Sequence, residues 1–108
     1  MTPTPNDTMI VMYNLAPDQN QADFETWLQE VDLPGYEKTA TMSDPVYYRA
    51  EETLEGETPP FKYVVAIKSK TGEEVDEEMS GKGWEGFVAD FESRTRDAVY
   101  ISATRIIG

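Results

Sequence analysis

The chain has 108 residues, room for one domain of the usual span of about 50–250 residues. Its 21 acidic residues against 9 basic ones leave a net charge of −12, which disfavours non-specific nucleic-acid binding and docking on an anionic membrane. Histidine and cysteine are both absent. That excludes histidine acid–base work, thiol nucleophiles, disulfides and zinc ribbons.

Residues 1–8 carry no positive charge and no apolar run, so they read as a frayed tail rather than a signal peptide, ahead of a single domain over 9–108. No stretch approaches the ~20 apolar residues of a membrane span, and a soluble cytoplasmic protein is expected. Residues 9–15 are short, β-branched and aromatic, and predict a buried strand stopped at Ala16-Pro17-Asp18. Asn20 then caps a helix whose Phe24, Trp27, Leu28 and Val31 fall at i, i+3, i+4 and i+7. All four should be buried. Pro34-Gly35 should end this helix.

Residues 42–50 predict a second strand and 51–60 a polar loop closed by Pro59-Pro60. Residues 61–69 predict a third strand with apolar Phe61, Tyr63, Val65 and Ile67 on one face and a mixed second face. The acid run Glu73–Glu78 opens a helical stretch with Val75, Met79, Phe87 and Phe91 at helical spacing. The run lacks the order of an EF-hand loop and reads as a solvated helix face, with no metal site expected. Gly81, Gly83 and Gly86 predict a break near 80–83, and residues 97–107 a last strand.

The order β-α-β-β-α-β is the ferredoxin-like pattern of the α+β class: one antiparallel four-stranded sheet with its helices on one face. Apolar residues of both parities in the first and third strands leave the other face too apolar for water. Two sheets packed face to face, as in a dimeric α+β barrel, would cover it.

Five stretches together resemble the RedY-like proteins of prodiginine pigment pathways: Ile10–Leu15, Trp27-Leu28 followed by Val31-Asp32-Leu33-Pro34, Tyr48-Arg49, Pro59-Pro60-Phe61 with Tyr63-Val64, and Phe87 with Phe91 before a Val-Tyr-Ile strand. The glycine-rich Ser80–Gly86 departs from that pattern. The resemblance implies a homodimer, a pocket between helices and sheet, and a place in a secondary-metabolite pathway.

Asp32 is the first candidate catalytic residue, because a carboxylate at a helix end meets unpaired carbonyls and has reason for a raised pKa. Asn14, at the end of the first strand, is the second, as a donor to a carbonyl or oxyanion. The pocket is expected between the first helix and the sheet, with Asn14 and Asp32 flanking its mouth. Trp27, Tyr48, Tyr63, Arg49 and Trp84 are candidate ligand contacts. Tyr48 and Arg49 point to opposite faces, so only one should line a given pocket. The reading is a cofactor-free protein that binds a flat, apolar, aromatic pathway intermediate and assists its conversion. The alternatives are a cofactor-independent monooxygenase of the same barrel superfamily and a non-enzymatic ligand-binding or scaffolding dimer.

Overall fold

A computed structural model describes residues 5–108. The elements are β1 (Thr8–Leu15), α1 (Gln21–Trp27), a π-helical segment (Leu28–Asp32), α2 (Leu33–Glu37), β2 (Met42–Arg49), β3 (Tyr63–Ser69), α3 (Gly72–Met79), α4 (Glu85–Arg94) and β4 (Thr95–Ala103). The four strands form one sheet in the order β2-β3-β1-β4, and every neighbouring pair is antiparallel. This is the ferredoxin-like α+β arrangement that the order of elements predicts. Among the described residues no helix is long and apolar enough to cross a membrane.

Alternation along the strands makes the core. Val11, Tyr13, Tyr63, Val65 and Ile67 point to one sheet face and pack against Phe24, Trp27, Leu28 and Val75 from the helices. Ile10, Met12, Val64, Ala66, Val46, Tyr48, Val99 and Ile101 share the other face by register. No helix covers them, and Val46, Tyr48, Val99 and Ile101 are exposed.

Of the expected tail, residues 1–4 lie outside the described residues. Asn6 donates its backbone N–H to Thr104 Oγ1, Asp7 Oδ1 accepts from the N–H of Arg105, and pairing begins at Thr8. The last strand stops at Ala103 rather than 107 because its final partner is Thr8; beyond it Ile106 and Ile107 are exposed.

The first helix departs from expectation in two linked ways. Asn20 does cap it, accepting from the Asp23 N–H at 3.1 Å. Pro34-Gly35 does not end it: helical backbone runs on to Glu37. The N–H of Leu33 donates to the carbonyl of Leu28, five residues back, so the turn holds one extra residue. Pro34, with no N–H to leave unpaired, fits the end of such a turn. Gly35 belongs there because a Cβ would lie 2.3 Å from Cε2 of Phe87. The second consequence falls on burial. A straight helix returns residue i+7 to the face of residue i; the wide turn gives that place to i+8. Counting from Phe24, Asp32 is therefore 3% exposed while Val31 is 42% exposed.

The break between α3 and α4 lies at residues 80–84, where Gly83 has φ +100°. Glu78 accepts from the N–H groups of Ala40 and Thr41 at 2.8 and 3.0 Å, so one acid of the run ties α3 to the turn before β2. Among the described residues no group of three acids could hold a metal ion.

Candidate functional site

Splitting the helical layer leaves a hollow beneath it. A cavity of about 530 Å³ lies between α2, α3, α4 and the sheet. Its apolar wall comes from Met9 and Val11 of β1, Met42 of β2, Val75 and Met79 of α3, and Phe87, Val88 and Phe91 of α4. Tyr36 and Tyr100 add two more rings. The charged residues of the wall are all acids: Asp32, Asp76 and Glu92. Asp76 and Glu92 are exposed, and Asp32 is buried.

The widened turn places Asp32 in this wall. The Tyr47 hydroxyl, on the edge strand β2, donates to Asp32 Oδ2 at 2.7 Å. Oδ1 is buried and has no hydrogen-bond partner among the described residues. Burial pushes the carboxyl up to about 6, and the Tyr47 bond pulls partly against that rise. The phenols of Tyr13, Tyr36 and Tyr47 are pushed up in turn, first by burial and then by the Asp32 charge. The Tyr13 hydroxyl is also buried without a partner. A carboxyl with one unpartnered oxygen and a raised pKa can accept a proton from, or pair with, an N–H or O–H donor.

A shallower cleft of about 320 Å³ includes Tyr47 in its lining. Glu25, Leu28, Gln29, Leu33, Tyr47, Tyr48, Arg49 and Tyr63 line it. Arg49 grips Glu25 with two donors, Nε at 2.7 Å and Nη2 at 3.1 Å, and reaches Glu51 at 2.6 Å. Tyr63 donates its hydroxyl to Glu25 at 2.8 Å. Arg49 holds the Glu25 carboxyl below its usual range against the opposing effect of burial, and the Tyr63 bond adds to the lowering. Tyr48 and Arg49 both line this cleft, contrary to the expectation from alternation. An edge strand has no further strand beside it, so residues of both parities reach its rim.

The structure does not bring the other candidates to Asp32. Asn14 shares the open sheet face with Met12. Its Oδ1 accepts from the Lys62 N–H at 2.9 Å and its Nδ2 donates to the Pro60 carbonyl at 3.1 Å, so it fastens the β2–β3 loop to β1. Trp27 is core. Its Nε1–H donates to Asp90 at 3.0 Å, and the Arg94 guanidinium lies 4.9 Å from its ring centroid, which joins α1 to α4. Trp84 stands at the start of α4, edge-on to Phe87 at 5.6 Å. The residues that sequence reasoning missed are Tyr36, Tyr47 and Tyr100. Val75, Met79, Phe87 and Phe91 are visible in the sequence as a helical stripe, the ordinary mark of core, and nothing local distinguishes a stripe over a hollow from one over a filled core.

Solved structures of the same fold include the Arabidopsis thaliana protein At3g17210, with a TM-score of 0.71, 9% identity, and 94% of each chain covered. HapK from Hahella chejuensis aligns with a TM-score of 0.67 and 21% identity over 94% of this chain and 98% of that one. An ethd family protein from Bacillus halodurans C-125 aligns with a TM-score of 0.65 and 15% identity over 87% of this chain and 93% of that one. No curated protein matches this chain. The family described as REDY-like protein HapK matches residues 7–106, and the chain belongs to that family.

Proposed function

We propose that this protein binds a flat, largely apolar aromatic intermediate of a secondary-metabolite pathway, of the prodiginine-like pigment kind, in the cavity between its helices and sheet, and that Asp32 orients the intermediate and assists its conversion as a proton acceptor. The observation that carries this reading is the buried Asp32 carboxyl, with one unpartnered oxygen, in the wall of an otherwise apolar cavity of about 530 Å³. Membership of the REDY-like family supports the pathway.

The working unit in this reading is a homodimer. The uncovered sheet face with Val46, Tyr48, Val99 and Ile101 is the surface a second copy would bury. No cofactor enters the proposal, since a carboxylate base needs none. Val88→Trp, which fills the cavity from α4, tests the site. Planar aromatic ligands should raise the Tm of the parent and leave that of the folded variant unchanged. Equal rises in both would place the ligand elsewhere.

A further inference from the structure

We infer that the cavity selects a planar aromatic ligand carrying a protonated nitrogen, held by an ion pair with Asp32 and by the aromatic rings of Phe87, Phe91 and Tyr36. The inference rests on the reading of this cavity as the ligand site and adds the charge of the ligand to it.

Three independent features of the wall point the same way. First, its charged residues are three acids, with no lysine or arginine among them. An anionic ligand would lose its hydration and gain no partner, which makes carboxylates and phosphates poor occupants. Second, Asp32 Oδ1 is buried without a hydrogen bond. A neutral ligand without a suitable donor leaves it so, whereas a charged N–H donor supplies a charge-assisted bond, roughly twice as strong as a neutral one. Third, four aromatic residues, Tyr36, Phe87, Phe91 and Tyr100, share the wall with that carboxylate. Ring faces attract a cation within ~6 Å, and the attraction grows when the pair is desolvated. The net charge of −12 adds a long-range field that draws cations toward the rim acids Asp76 and Glu92.

Three probes of similar shape decide it: 4-aminoquinoline, a cation near neutral pH; 1-aminonaphthalene, its uncharged counterpart; and 1-naphthoate, the anion. They are titrated into the full-length protein by calorimetry at about 0.15 M salt. The expected result is that 4-aminoquinoline binds at least ~10-fold more tightly than 1-aminonaphthalene, with 1-naphthoate weakest. Asp32→Asn should bring the cation to within ~3-fold of the neutral probe. A repeat with the parent protein at about 1 M salt, where the Debye length is ~3 Å, should keep the preference, because a buried pair is little screened. Equal binding of the cation and the neutral probe overturns the inference and leaves the cavity reading intact. A preference that survives Asp32→Asn, or that disappears at high salt, also overturns it, by assigning the effect to the overall field. Failure of all three probes to bind overturns the cavity reading as well.

Discussion

Tyr47 Oη and Asp32 Oδ2 lie 2.7 Å apart, joining the edge strand of the sheet to the one wide turn of the first helix. Among the described residues it is the carboxylate's single side-chain hydrogen bond, and the other oxygen has no partner. Tyr47 itself lines the Arg49 cleft, while Asp32 lines the larger cavity.

The first consequence is a dependence of stability on pH. The Asp32 carboxyl holds its proton more tightly in the folded protein, near 6, than at its ordinary value of 3.8. Between those values the folded state carries the extra proton, so this group's contribution to stability falls as pH rises through the window and stays low above it. The gap corresponds to ~3 kcal/mol. Denaturant melts of parent and Asp32→Asn should show the variant gaining on the parent by ~2–3 kcal/mol between pH 4 and pH 7. Parallel profiles would mean that Asp32 is solvated.

Among the described residues, Tyr47→Phe removes the only side-chain hydrogen bond to that carboxylate. The Asp32 pKa should rise above its parent value, and stability at pH 7 should fall by ~1–3 kcal/mol. At pH 4 the penalty should shrink, because the protonated acid needs the donor less. A loss of equal size at both pH values would mark Tyr47 as packing alone.

The wide turn makes opposite predictions for two neighbouring apolar residues. Leu28→Ala should cost roughly 2–5 kcal/mol, since Leu28 is 6% exposed in the core. Val31→Ala should stay within ~0.5 kcal/mol, as at other exposed sites. A large loss at Val31 would restore a straight helix and remove Asp32 from the cavity.

Gly35 and Gly86 offer a second contrast. Gly35→Ala drives a methyl into Phe87 and should cost ~1–3 kcal/mol, with a matching loss of ligand affinity because Phe87 is cavity wall. Gly86 is exposed in the first turn of α4 and faces open space, so Gly86→Ala should stabilise by ~0.5–1 kcal/mol. Thermal melts with and without ligand check both.

For the assembly, light scattering should give twice the 12.2 kDa chain mass, with an interface of roughly 1,200–2,000 Å² or more. Ile101→Glu, on the open face of the edge strand β4 opposite Ile10, should shift the mass toward one chain. A parent that is monomeric at micromolar concentration would remove the proposed homodimer.

Strand positions were legible because alternation survives single substitutions. Tyr63, Val65 and Ile67 are buried as their spacing predicts. The site was legible only in part. Asp32 stands out in the sequence as an acid at a helix end, yet its burial comes from a turn that periodicity misses. The same turn exposes Val31, which the i, i+7 rule places in the core. Pro34-Gly35 carries an ordinary stop signal, yet the wide turn seats Pro34 without loss of a bond, and Gly35 serves the close approach of Phe87 from α4. Asn14 has the right chemistry on the wrong sheet face. Its partners, Pro60 and Lys62, arrive from a loop whose path no local pattern reveals.

A buried Asp32 carboxyl that meets the ligand inside the cavity must report on that ligand through its own titration. The direct measurement is the pH titration of the Asp32 carboxyl carbon by NMR, in the free protein and with 4-aminoquinoline bound. The midpoint should lie near 6 in the free protein and move lower when the cation pairs with the carboxylate. A midpoint near 4, unmoved by ligand, would contradict that expectation.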